Sequence, residues 1–246
     1  MAVFQGKSVL VTGGSRGIGR GIALRFAELG AAKVAISYLR NDVAAEETAG
    51  EIRERGAEAQ LLRGNVGVPE KAVALLEEAG PLDVLVSNAA TGVIRPALEL
   101  EERHWDWTMN ANARALFTLT RHAAPQMQPG SAIVALTSQG SQRVLEGYVL
   151  VGTSKAALEA LVRYLAVELS GRDIRVNAVS AGLVETGALA HFPNREAMLE
   201  LGAQNPVGRL VSPDDVAAAV AFLCSPEAEM VCGQTLVVDG GYSLLA

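Results

Sequence analysis

One stretch constrains the fold more than any other: a short apolar run that ends in a glycine-rich turn and restarts at once as a helix. Lys7-Ser-Val-Leu-Val-Thr12 reads as a buried strand. Gly13-Gly-Ser15-Arg16-Gly17-Ile18-Gly19 follows without a spacer, and a helical pattern then runs from Arg20 to Leu29 and closes at Gly30. Glycines at 13, 17 and 19 let the backbone turn sharply and approach a ligand closely. The helix start offers free N–H groups and a positive dipole to a pyrophosphate. In this strand–turn–helix setting the loop predicts a dinucleotide site.

The alternation continues down the chain. Lys33–Tyr38 reads as a strand, Val43–Arg55 as a helix ending at Gly56, and Ala59–Arg63 as a strand leading to Asn65 and Val66. Pro69–Ala79 is helical, and the buried strand Leu82–Ser87 delivers Asn88, Ala89 and Ala90 at its carboxyl end. A long helical region, Glu101–Met127, is interrupted by Asn110 and Asn112, poor helix formers that need a reason to be buried. Strands are expected at Ser131–Thr137, ending at Ser138, at Ile174–Val179, and at Leu236–Val238 before Asp239-Gly-Gly241. Ser212 as N-cap, Pro213 behind it and Asp215 three residues on predict the last helix. Residues 187–210 break the pattern and read as a substrate lid, with Leu189, Phe192 and Leu199 as apolar wall or subunit interface. The whole, 1–246, is expected to be a single α/β domain: a Rossmann-like, doubly wound parallel sheet with helices on both faces. Ligands of such a sheet bind outside the carboxyl ends of the strands, so Thr12–Gly19, Asn65 and Asn88 should converge.

Composition narrows the function. Half of the 246 residues are hydrophobic, enough for a sizeable core. A net charge of −6 with no basic run argues against nucleic acid, and no apolar run is long enough to span a bilayer. The early strand predicts no leader segment. Cys224 and Cys232 read as small apolar residues of a reducing compartment, and His104, His122 and His191 are too scattered for a metal site. A cytoplasmic protein is expected. After the second strand come Ser37, Tyr38, Leu39 and Arg40, with no acid for a ribose hydroxyl until Asp42. Arg16 and Arg40 suit a 2′-phosphate instead, which favours NADPH over NADH.

Chemistry concentrates between Tyr148 and Lys155. From Ala156 onward Leu158, Leu161, Val162, Leu165 and Leu169 form one apolar helical stripe. If the helix already runs through Tyr148, the two polar side chains lie on one face, about 10 Å apart along the axis. An ammonium beside a phenol is expected to stabilise phenolate and bring its proton loss nearer neutral pH.

Over its whole length the chain resembles the short-chain dehydrogenases/reductases, on the strength of Thr12–Gly19, Asn88–Ala90, Asn112, Ser138, Lys155 and Asp239-Gly-Gly241. The resemblance implies a sheet of about seven strands, a nicotinamide cofactor and a homotetramer. It also implies that Lys155 holds the nicotinamide ribose, that Asn112 anchors a water or backbone contact behind it, and that Val66, Val184 and Thr186 line the cofactor. Most of that family has its tyrosine four residues before the lysine, where this chain has Val151, and commonly proline where it has Ala181. The spacing of seven, with residues 88–96, 104–113 and 191–196, resembles the NADPH-dependent type III enoyl-acyl-carrier-protein reductases. There is a physical reason for that spacing. Ketone reduction puts hydride on the carbonyl carbon itself. Reduction of a trans-2-enoyl thioester puts it on the β-carbon, so charge builds on an oxygen two carbons further away. Three residues of helix, about 4.5 Å, displace the acid by a suitable amount.

The implied roles are Tyr148 as acid on the enolate oxygen and Ser138 as a second donor to the carbonyl. An acyl carrier protein would dock on a local basic patch drawn from Arg95, Arg143, Arg195 and Arg209. Two other readings stay open: a 3-oxoacyl or other carbonyl reductase, with Gly152 allowing an irregular helix start, and a nucleotide-binding protein without activity.

Overall fold

Each apolar run of the sequence enters one parallel sheet in the computed structural model, which describes residues 3–184 and 195–245. The strands are β1 (Ser8–Thr12), β2 (Lys33–Tyr38), β3 (Glu58–Arg63), β4 (Val84–Ser87), β5 (Ala132–Ser138), β6 (Arg175–Ala181) and β7 (Thr235–Val238). They lie in the order β3-β2-β1-β4-β5-β6-β7, every pair parallel. The chain winds outward from β1 to β3, then returns to the other side of β1 at β4. That reversal opens a crevice at the carboxyl ends of β1 and β4. Ser87 is level with Ala135, so β5 continues past the end of β4 and carries Ser138 outward toward the crevice.

The helices are α1 (Gly17–Glu28), α2 (Asp42–Glu54), α3 (Pro69–Ala79), α4 (Glu102–Met109), α5 (Ala115–Ala123), α6 (Val149–Ser170), α7 (Arg195–Ala203) and α8 (Pro213–Cys224). Strand alternation divides the core between two faces. Val9, Val11, Val86 and Val134 pack with Phe26 of α1 and Val220 of α8. Leu10, Leu85 and Ile133 pack on the other face with Leu116 of α5 and Leu158 and Val162 of α6. The expected stripe of α6 is therefore its core face, with Leu161 and Leu169 half-buried at its margin. The helix cap at Ser212 forms as expected: Ser212 Oγ accepts from Asp215 N at 3.2 Å, and Asp215 Oδ2 accepts from Ser212 N at 2.8 Å.

Three differences from the sequence reading exceed a shift of an element's end by one or two residues. α1 begins at Gly17 rather than Arg20. Glycine is a poor helix former, but a Cβ at Gly19 would collide with the Gly13 carbonyl, so close packing of helix on loop selects it. The region 101–127 is not broken: α4 passes into α5 through a π-helical turn at Asn110–Arg114, which carries Asn112. The expected lid holds a helix in its described part, α7. Leu189, His191 and Phe192 lie outside the described residues.

Among the described residues no helix is long and apolar enough to cross a membrane, and no group of three His, Cys, Asp or Glu side chains could hold a metal ion. Cys224 is buried and its thiol is pushed up to about 12 by that burial, as suits a small core residue.

Candidate active site

The crevice is tied together by side chains at the strand ends. Thr12 Oγ1 accepts from the backbone N–H groups of Asn88 and Ala89, each at 3.0 Å. Asn88 Nδ2 donates back to the carbonyls of Thr12 at 2.9 Å and Gly13 at 3.2 Å. Asn88 thus fastens the end of β4 to the glycine loop after β1. Gly13 has φ +65°, a left-handed conformation that favours glycine. On the other side Gly13 N donates to Ser37 Oγ at 3.3 Å, which ties the loop to β2. Asn65 folds the end of β3 into a tight turn by accepting from Gly67 N at 2.9 Å.

The residues at the start of α1 fit a dinucleotide phosphate. Arg16 stands just before the helix and is exposed, no side chain caps the helix, and no acid sits in its first turn. Its dipole and leading N–H groups are matched to an anion. Ser15 is buried behind the loop, and Thr48 Oγ1 donates to its carbonyl at 3.1 Å. Ile18 is half-buried against the core. At the end of β2 Arg40 is exposed, and Asp42, the nearest acid, pairs with Arg63 at 3.5 Å. The Val66 and Val184 side chains are buried in packing, the latter paired across a β-bridge with Val211. Thr186 and the side chain of Arg195 lie outside the described residues.

Tyr148 is the residue before α6, with φ −96° and ψ 11°, and its carbonyl accepts from Gly152 N at 2.7 Å. Its ring lies in a slot floored by Gly140, which packs in turn on Gly152. A Cβ on Gly140 would sit 2.5 Å from ring atoms Cδ1 and Cε1, and one on Gly152 would sit 2.6 Å from the Gly140 carbonyl. The slot aims the phenol at β5, where Tyr148 Oη lies 3.4 Å from Ser138 Oγ. Val151 points elsewhere and is buried against Gly92. Gly140→Ala should displace the ring. The measured kcat should fall about a hundredfold, as expected for a misplacement of about 1 Å, while the melting temperature changes little.

The electrostatics correct one expectation. Burial pushes the Tyr148 phenol above its ordinary value, and the hydrogen bond with Ser138 only partly offsets that. The phenol is thus kept protonated rather than acidified toward neutral pH. Lys155 is buried too. Its Nζ donates to the Leu136 carbonyl of β5 at 2.7 Å, and burial lowers it to about 8, with Glu159 acting in the opposite direction.

Asn112 is fully enclosed and uses its whole amide. Oδ1 accepts from Thr91 N at 2.9 Å, while Nδ2 donates to the Thr91 carbonyl at 2.9 Å and to Ser154 Oγ at 2.8 Å. Its backbone contact is therefore the loop after β4, and it reaches the residue next to Lys155. Two partners went unread in the sequence. Gln139 Nε2 donates to Asp239 Oδ2 at 2.8 Å, so the closing Asp-Gly-Gly turn braces the segment after Ser138. Glu159 is buried one turn beyond Lys155. The signal for it was present: an acid on the apolar stripe between Leu158 and Val162.

Of the arginines expected to meet a carrier protein, Arg209 is held by Asp215 through contacts of 2.6 and 2.8 Å and leaves the patch. Arg95 and Arg143 are exposed near the start of α6, where Arg95 N donates to the Gly147 carbonyl at 2.9 Å.

Residues 13–243 match the family model described as enoyl-(acyl carrier protein) reductase. The 1-cyclohexenylcarbonyl-CoA reductase of Streptomyces collinus is 38% identical over 96% of this chain and 87% of its own length. The 3-oxoacyl-(acyl-carrier-protein) reductase FabG of Staphylococcus aureus is 36% identical over 96% of this chain and 97% of its own. A short chain dehydrogenase from Burkholderia cenocepacia, solved in complex with NADP, superposes with a TM-score of 0.90 at 34% identity, covering 98% of this chain and 99% of that one.

Proposed function

Since the chain belongs to the short-chain dehydrogenase/reductase family of oxidoreductases, we propose that it is an NADPH-dependent reductase of the 2,3 double bond of trans-2-enoyl thioesters. One observation carries this reading. The tyrosine directed at Ser138 is Tyr148, seven residues before Lys155, while the position four before the lysine is a valine packed on Gly92. The relative named for a cyclohexenylcarbonyl thioester supports the substrate class.

The cofactor reading rests on the α1 start, on Asn88 and Asn65 at the strand ends, and on Arg16 and Arg40 for a 2′-phosphate, with the NADP-bound relative in support. Lys155 would hold the nicotinamide ribose. When bound, the nicotinamide supplies the hydride received by the β-carbon. Negative charge then builds on the thioester oxygen. Tyr148 Oη donates to that oxygen, Ser138 Oγ beside it offers a second hydrogen bond, and a proton from solvent reaching the α-carbon completes the saturated thioester. Asn112 keeps the loop after β4 seated against α6 while this happens.

A carrier-bound acyl chain is the proposed form of the substrate, with Arg95 and Arg143 as the local basic patch. Self-association, as a homotetramer, is supported by exposed apolar side chains: Trp105 and Trp107 on α4, Phe117 on α5, Tyr164 and Val167 on α6, and Leu236 and Val237 on the edge strand β7. The cytoplasm is its proposed location.

The second reading is reduction of a carbonyl. The Ser138–Tyr148 contact favours it, because both hydroxyls could grip one substrate oxygen, and so does the relative named as a 3-oxoacyl reductase. The test follows NADPH absorbance with crotonyl and acetoacetyl thioesters separately. Turnover of the crotonyl substrate alone is the expected result; turnover of the acetoacetyl substrate alone would replace the enoyl reading with the carbonyl one.

A further inference from the structure

A buried acid that the proposed chemistry does not use sits within one turn of Lys155. Glu159 is 5% exposed. Its Oε1 accepts from Thr137 Oγ1 at 2.8 Å and lies 2.6 Å from Ser141 Oγ, and its Oε2 accepts from Gln142 Nε2 at 3.4 Å. Thr137 belongs to β5, next to Ser138; Ser141 and Gln142 belong to the turn that follows it. Ser141 Oγ also lies 2.9 Å from the Ser138 carbonyl, so the carboxylate is coupled mechanically to the serine beside the phenol. The same turn holds Gly140, the floor of the Tyr148 slot. On the helix the acid lies at i+4 from Lys155, a spacing that places two side chains side by side.

A neutral amide would still accept from Thr137 and Ser141 and would lose only the long bond from Gln142 Nε2. A buried carboxylate is costly unless a positive charge or several donors compensate it. Lys155, also buried and bound through its ammonium to a neutral carbonyl, has the complementary need. Other ionisable groups stand on the elements packed against α6: Tyr148 at its start, Glu102, Arg103, His104 and Asp106 on α4, Arg114 on the π-turn, Arg121 and His122 on α5, Arg175 on β6 and Asp239 behind Gln139. The charge that acts on Lys155 is that of Glu159.

We propose that Glu159 is a positioning residue of this site: its carboxylate straps the Ser138–Gln142 turn onto α6 and supplies the buried negative charge that partners Lys155. The inference rests on the reading that Lys155 meets the cofactor, and not on which substrate is reduced. A charged Lys155 binds the cofactor, so NADPH affinity falls as pH rises through the lysine's titration.

The test is a fluorescence titration of NADPH at pH values on either side of 8, for the wild type and Glu159→Gln. The amide keeps the size and most hydrogen bonds but removes the charge. The midpoint of the affinity loss should move to lower pH by about one unit, the expected scale for a unit charge at this spacing in a partly polarisable interior. Ser141→Ala cuts the strap and leaves the charge, so kcat should fall while the midpoint does not move to lower pH. A midpoint unchanged in Glu159→Gln, with only the melting temperature lowered, would reduce Glu159 to a structural brace. If Glu159→Gln does not fold, the paired variant Thr137→Val, Ser141→Ala carries the test. With two donors gone the carboxylate is less compensated, so the midpoint should rise, and an unmoved one overturns the proposal. Wild type that binds no NADPH at any pH would instead refute the cofactor reading itself.

Discussion

Tyr148→Phe should lower kcat on an enoyl thioester by about 10²- to 10⁴-fold, the usual contribution of a positioned acid. NADPH affinity should stay within a few-fold, because the substitution leaves Lys155, the glycine loop and the ring in its slot untouched. The expected stability cost is small, about 1 kcal/mol, since the hydrogen bond to half-buried Ser138 is lost and the ring still packs on Gly140. The raised phenol sharpens the prediction. A phenol pushed upward by burial stays protonated through neutral pH, so it works as a donor to developing charge rather than as a phenolate base. Activity in the reducing direction should therefore show no acidic limb assignable to Tyr148. Ser138→Ala should cost less than Tyr148→Phe, because it removes the helper and leaves the donor. Single-turnover kinetics with both variants give the comparison. Near-wild-type kcat in Tyr148→Phe would remove this tyrosine from the chemistry and, with Val151 unable to substitute, leave the site without an acid.

Much of this site was legible because it is written locally. The glycine loop, the strand-end asparagine, the serine after β5 and the Tyr148–Lys155 spacing each sit at a chain position that the strand–helix alternation dictates. The sheet followed from the same signal, with strand ends displaced by at most a few residues. What escaped is tertiary. Gly140 went unread and Gly152 was read only as a source of helix irregularity; the fold shows the ring packed on Gly140 and Gly140 packed on Gly152. Asn110 and Asn112 were read as an interruption. They lie in a π-turn, from which Asn112 bonds both Thr91 and Ser154. The start of α1 was placed late because glycine propensity says so, while packing of Gly19 on the loop overrides it. The direction of the phenol's shift was misjudged for a similar reason. A lysine nearby in the chain is visible in sequence; the burial that raises the phenol is not.

Lys155→Met should abolish turnover, by about 10²-fold or more, yet its more telling effect is on stability against pH without cofactor. The buried ammonium titrates at about 8, whereas an unfolded lysine titrates near its ordinary 10.5. Below pH 8 both states are protonated, and the folded protein carries the full cost of burying the charge. Between 8 and 10.5 the native state binds fewer protons than the unfolded one, so stability rises with pH in this window. Above it the cost is gone. The stability recovered across the window is about 3 kcal/mol, since each unit of difference is worth about 1.4 kcal/mol. Methionine occupies a similar volume and cannot titrate. The unfolding free energy of the wild type minus that of Lys155→Met should therefore climb by about 3 kcal/mol from neutral pH to above 10.5. The raised Tyr148 phenol works in the opposite sense, with stability lost as pH rises through its folded value, but it is present in both proteins and cancels in the difference. Chemical denaturation at several pH values gives the quantity directly. A flat difference would mean that Lys155 is solvated in the free protein and that its bond to the Leu136 carbonyl is not the anchor described here. A rising one would show that the fold keeps a destabilising cation in place, as a site does when charge is needed for binding rather than for folding.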